Sequence, residues 1–169
     1  MVTEELGGSR SWSIQRLASR DPGRGPVDLD VPDEHERWQM YHDAIKSGDH
    51  ELVLAVVAGE PVQALVRAVV WEVVEVPELR PRALNLLPEG PDREDVLRHI
   101  GDLEMRAQMR SGDCLSSVPV SDMSIFLQRA CAVESECEEL LQRLADSGTR
   151  RVRHEARWRL SAVDPQGSR

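Results

Sequence analysis

Three His-Glu dipeptides, His35-Glu36, His50-Glu51 and His154-Glu155, are the residues whose chemistry is most readily tested by spacing. A zinc peptidase helix needs a second histidine four residues after the first, so that both imidazoles share a face. Those positions hold Gln39, Leu54 and Trp158, and all three fail. His35 and His42 lie seven apart on one face but have no third ligand in register. The acid pairs Asp33-Glu34, Glu94-Asp95 and Glu138-Glu139 fall where helix starts and solvated faces favour charge. No serine or cysteine sits in a nucleophile elbow, and the phosphate-cradling glycine loop is missing. The reading is non-enzymatic, with no catalytic residue, metal ligand or cofactor.

One cluster stands out. Arg150, Arg153 and Arg157 follow at i, i+3 and i+7, with His154 beside them and Arg151 and Trp158 on flanking sides. Guanidinium forks suit phosphate or carboxylate oxygens, and a neighbouring indole can stack on a base. Two plainer uses compete: hydration of an outer face, or pairing with acids such as Glu134, Glu136, Glu138 and Glu139. Arg150, Arg151, Arg153, Arg157 and Trp158 are therefore the candidate contacts for an anionic ligand or a partner.

Those residues need elements to position them, and composition bounds the elements. The 169 residues are 40% hydrophobic and 30% charged, as in globular domains. Only 4% are aromatic, so the core must be aliphatic. Lys46 is the sole lysine, an arginine bias that resembles coding from a GC-rich bacterial genome. The net charge of −9 divides into +1 over residues 1–27, −14 over 28–142 and +4 over 143–169. An acidic body with a basic end is poor equipment for duplex DNA. Cys114, Cys131 and Cys137 are odd in number and lack a CxxC pair, so no disulfide framework is indicated. No apolar run follows a basic start, so no secretory leader is expected, and the most apolar stretch, 62–76, is interrupted by Arg67, Glu72 and Glu75. The expectation is a soluble, reducing, cytoplasmic setting.

Residues 1–32 read as a loosely attached arm. It carries Trp12 and Leu17 on a short helix from Ser11 to Ser19, a linker at 21–26 and an extended connector at 27–31. Residues 33–163 read as one helical domain and 164–169 as a tail. A helix opens near Asp33 with Trp38, Tyr41 and Ile45 at i, i+3, i+7, and Gly48 closes it. Asp49 caps a third element that ends at Gly59. Pro61–Val76 is rich in β-branched residues, which favour a strand. Gln63, Arg67, Trp71 and Glu75 nevertheless fall four apart, in one polar-edged stripe of a helix. A short helix follows around 78–87, and a longer one starts near Asp92 with Val96, Ile100, Leu103 and Ala107 buried. Residues 114–120 read as a loop. After a cap at Ser121 or Asp122, the seam Phe126, Ala130, Val133, Cys137, Leu140, Leu144 suggests one helix of about seven turns. Two helices bending near Glu134–Glu136 are the alternative. The last helix opens at Thr149 and buries Val152, Ala156, Leu160 and Val163. This is an all-α chain of about seven or eight helices.

Sliding the chain by 86 residues places Leu54, Ala58, Val66-Arg67 and Val70 over Leu140, Leu144, Val152-Arg153 and Ala156. Such helix–turn–helix pairs resemble HEAT-like repeats over residues 50–76 and 136–163. A shift of 43, the step of a single repeat, gives no matching helix after Met109-Arg110. The architecture is thus an irregular helical array, a HEAT-like α-solenoid or an α-bundle. The resemblance implies a scaffold that contacts proteins, and less often nucleic acid, and it transfers no catalytic residue. The expected function is a protein–protein interaction module with an acidic surface. The alternatives are a nucleic-acid accessory protein acting through the basic last helix, and an enzyme whose site is invisible to local motifs.

Overall fold

The computed structural model describes residues 33–163; the arm at 1–32, with its expected helix and connector, and the tail at 164–169 lie outside the described residues. Within those bounds the chain is all helical. Eight α-helices follow in order: α1 Glu34–Lys46, α2 His50–Val57, α3 Gln63–Val73, α4 Arg80–Leu84, α5 Pro91–Arg110, α6 Ile125–Glu134, α7 Glu138–Ser147 and α8 Arg150–Val163. The β-branched segment is a helix, α3, because its period is helical. Leu65, Val66, Val69, Val70 and Val73 are buried while Gln63, Trp71 and Glu75 are exposed and Arg67 is half-buried. It starts two residues later than expected, since Pro61 and Val62 remain outside it.

Local signals set the other boundaries. Asp33 caps α1 in a reciprocal box: its carboxylate accepts from Glu36 N at 2.8 Å, and Glu36 accepts from Asp33 N at 3.2 Å. Gly48 ends the turn with φ of 85°, which costs glycine nothing. The helix expected around 78–87 is a 3-10 turn, Pro77–Leu79, running into the short α4, and residues 114–122 hold two further 3-10 turns rather than a plain loop. Along α5, Val96 and Ile100 are buried, Leu103 is half-buried and Ala107 is exposed. His99, Asp102 and Met109 take inward positions instead, so the buried stripe is rotated from the expected one.

The long helix is not formed; the two-helix alternative is. Ser124 rather than Ser121 or Asp122 caps α6, accepting from Leu127 N at 3.1 Å. The break falls at Ser135–Cys137, where Ser135 turns extended (ψ 139°) and its hydroxyl accepts from Cys137 N at 3.1 Å. Phe126 and Val133 consequently leave the seam and stand exposed.

Contacts divide the chain into two compact units, Met1–Val96 and Leu97–Arg169, where the sequence suggested one domain over 33–163. In the first unit, Val53, Val57, Val69, Val70, Val73 and Val74 form the fully buried centre. In the second, Leu127, Cys131, Leu140, Leu141, Leu144, Val152 and Ala156 belong to a core of their own. Gly148 permits the tight α7–α8 junction: a Cβ there would meet Leu144 O and Val152 Cγ1, both at 2.6 Å. Cys114 and Cys137 are joined, correcting the expectation that no disulfide is indicated; counting alone could not reveal a pair 23 residues apart. Closing a loop of that length contributes ~3 kcal/mol in the chain-entropy account. Cys131 stays free and buried.

One buried carboxylate holds the first unit together. Glu60, 8% exposed, accepts from Arg37 Nε at 3.1 Å, Arg37 Nη2 at 3.2 Å, Tyr41 OH at 2.8 Å and Val62 N at 3.1 Å. It thereby ties α1 to the α2–α3 turn. Burial, reinforced by this hydrogen bond to Glu60, pushes the Tyr41 hydroxyl well above its ordinary value, so it remains a donor. Removing one partner of a buried pair strands the other charge. Glu60→Ala should therefore cost ~3–5 kcal/mol in urea unfolding; a loss under ~1 kcal/mol, the range of exposed pairs, would refute the hub.

Candidate interaction face

The basic helix α8 presents its arginines in two different ways. Val152 and Ala156 are buried and Leu160 packs against the same core, which fixes the helix's rotation. Arg153, half-buried, and Arg157, exposed, then reach back to the end of α7. Arg153 Nη1 donates to Gly148 O at 2.9 Å, and Arg157 Nη2 donates to Ala145 O at 3.1 Å. These carbonyls lie at the C-terminal end of α7, where the last turn has no intrahelical donors and carries partial negative charge. These two arginines thus cap a neighbouring helix. Arg159 acts likewise at the end of α6, donating to Val133 O and, at 2.9 Å, to Ser135 O.

Arg150, Arg151 and Trp158 remain outside this arrangement. Trp158 is 61% exposed, and Arg150 and Arg151 are exposed with no hydrogen bond or ion pair among the described residues. Arg151 and Glu155 line a hollow of about 170 Å³ with Val152 and, from α6, Arg129, Ala132 and Val133. Val133 is 53% exposed. Helical spacing puts Arg151, Glu155 and Trp158 on one face of α8. The five candidates are thus split: Arg151 lines a hollow shared with α6, where Glu155 is the one acid among the described residues that line it, and Trp158 lies on the same side of α8 by spacing.

Glu134, one of the acids offered as a partner for the α8 arginines, serves α5 instead. Arg106 Nε contacts its two oxygens at 3.1 and 3.0 Å, a third bond comes from Arg106 Nη2, and Arg110 Nε adds one at 2.8 Å. Hydrogen bonds from Arg106, then Arg110, outweigh burial and hold the Glu134 carboxyl down at about 2. The Arg106 guanidinium also lies 5.7 Å from the Phe126 ring centre, and His99 meets that ring edge-on at 5.1 Å. This polar strip, His99, Asp102 and Arg106 at i, i+3 and i+7 of α5, was missed because its spacing resembles an ordinary solvated helix face. Next to it, Cys131 has its thiol pushed up to about 11, by burial first and then by Glu134 and Asp102. It stays protonated at neutral pH and is no nucleophile.

His42, one of the two histidines weighed as ligands, stacks on Trp38 at 5.4 Å and meets Glu72 Oε2 at 2.9 Å through Nδ1. His35 is exposed on the first turn of α1. Among the described residues no group of three His, Cys, Asp or Glu side chains is placed to hold a metal, and no helix is long and apolar enough to cross a membrane.

Two measurements follow from this geometry. Arg157→Ala should lower stability by ~1–2 kcal/mol, the cost of a lost helix cap, whereas Arg150→Ala should stay within ~0.5 kcal/mol. Equal effects in urea melts would contradict the division. Because the Glu134 carboxyl is depressed in the folded chain, its contribution is present above pH ~4.5 and disappears as pH falls towards about 2. Glu134→Gln should flatten that limb of the stability profile; an unchanged slope would exclude the assignment. Compared with family models, with curated proteins and with solved structures, the chain matches none, so the meaning of this face rests on its own chemistry.

Proposed function

We propose that the chain is a non-enzymatic protein–protein interaction module, an acidic helical scaffold that docks a partner on the α6–α8 face of its second unit. The observation that carries this reading is the exposure of Val133 beside Arg129 and Arg151, with the exposed Trp158 on the Arg151 side of α8 by helical spacing. Tryptophan and arginine dominate interface hot spots, because one supplies a large rigid apolar area and the other a fork for carboxylates. A partner suited to this face offers an apolar side chain flanked by acids.

The 86-residue correspondence supports a HEAT-like character for the two helix pairs. It lays α2–α3 over α7–α8, and Leu54, Val66 and Val70 share burial with Leu140, Val152 and Ala156. Ala58 is exposed where Leu144 is buried, so the likeness is partial. The nucleic-acid reading is weakened by the same hydrogen bonds that cap α7. With Arg153 and Arg157 engaged, Arg129, Arg150 and Arg151 are left for phosphates, on a chain of net charge −9. A cytoplasmic setting belongs to the proposal too; it requires the Cys114–Cys137 pair to open in the reducing cell.

The experiment compares the chain with Trp158→Ala and Val133→Asp variants in pull-downs from a native extract of its source. The reading expects one stoichiometric protein to be retained by the natural chain and lost, at least tenfold, by both variants with unchanged circular dichroism. Retention by all three would remove this face from the function. Retention of oligonucleotide at low salt that vanishes in Arg150→Glu/Arg151→Glu would favour the nucleic-acid reading instead.

A further inference from the structure

The first unit carries a groove that the docking face of the second does not explain. It consists of two adjoining hollows, of about 660 and 440 Å³, that share Ala64 and Ala68 on α3. Trp38 and Leu65 line one, Trp71 the other. Its rim is acidic: Asp33 and Glu34 at one end, Asp92 at the other. Among the described residues that line it the basic groups are His35 and Arg67, and Arg67 is already held by Asp92 at 2.9 Å and Asp95 at 3.3 Å.

We infer that this groove is the seat of the chain's own N-terminal segment, Ser11–Ser19. Three observations favour that occupant over a foreign one. The described chain begins at Asp33, which itself lines the groove, so the arm is delivered to the rim. Residues 9–20 hold Trp12, Ile14 and Leu17 among Arg10, Arg16 and Arg20 with no acid, which complements an apolar floor and a carboxylate rim. The 13 residues from Arg20 to Pro32 reach roughly 45 Å when extended, while Ala64 to Trp71 spans only ~10 Å of helix.

Tethering makes a weak contact sufficient. A segment with a trans affinity of ~0.1 mM, held at an effective concentration on the order of 1 mM, is seated about nine-tenths of the time. Cleavage that requires release is then slowed about tenfold.

The test follows tryptic cleavage after Arg16 in the full-length chain by mass spectrometry. Ala68→Arg fills the groove from a half-buried position, and Trp12→Ala/Leu17→Ala strips the segment without touching the helical body. Each should speed cleavage about tenfold with helical content unchanged. If Ala68→Arg fails to fold, the segment variant decides alone. Equal rates in the natural and variant chains would overturn the inference and leave the groove to another molecule. The natural rate should also hold across a hundredfold dilution; protection lost on dilution would mean a second copy covers the groove, which equally overturns it.

Discussion

Helix ends decide how this molecule is built. Every α-helix leaves its last carbonyls without donors, and here arginines from later helices supply several of them. Arg80, the first residue of α4, donates to Val74 O at the end of α3 at 2.9 Å. Arg93, in the first turn of α5, reaches both Leu84 O at 2.8 Å and Leu87 O at 3.1 Å. Arg153 and Arg157 do this for α7, and Arg159 for α6. A lysine presents one point charge, whereas a guanidinium presents a planar fork of five donors that can bridge two carbonyls. The near-absence of lysine therefore acquires a structural use beyond any clue to origin.

That use redistributes the meaning of charge on the surface. An arginine committed to a carbonyl has part of its fork engaged and its position restrained, so it is less available to a mobile phosphate than a free one. The basic run at 150–159 has the charge of a ligand site, but much of it has been taken up by folding. What is left over on α8 is defined by subtraction: Arg150, Arg151 and Trp158, of which Arg151 lines a hollow with Arg129 and Val133 of α6. In the first unit the same economy appears in acid form, with Glu60 consumed by Arg37, Tyr41 and Val62 while Asp33, Glu34 and Asp92 stay at the rim of a groove.

Much of the architecture was legible in the residues. The Asp33 cap, the Gly48 stop and the four-residue stripe from Gln63 to Glu75 gave α1 and α3 because each follows from local sterics and periodicity. The seam from Phe126 to Leu144 misled, since periodicity does not register a break made by tertiary contacts. Ser135 is extended with its carbonyl held by Arg159 and its hydroxyl by Cys137, which is bonded in turn to Cys114. The candidate site was half legible for the same reason. Spacing placed Arg153 and Arg157 on a helix but could not show that α7 ends against them. A partial signal existed: Arg80 and Arg93 stand in the first turns of α4 and α5, where the dipole favours acids, and both are employed by the helix before. The first-turn Arg150 and Arg151 of α8 are not.

Arginine side-chain NMR addresses the central claim most directly, because it reads each guanidinium in the intact chain. With Arg153 and Arg157 seated on Gly148 O and Ala145 O, their terminal nitrogens should give separate, slowly averaging signals, while those of Arg150 and Arg151 average freely. Titrated oligonucleotide phosphate should leave the first pair unmoved. Four equivalent, freely rotating guanidinium groups that shift together on titration would contradict the account, and would return the basic helix to the role of a ligand site.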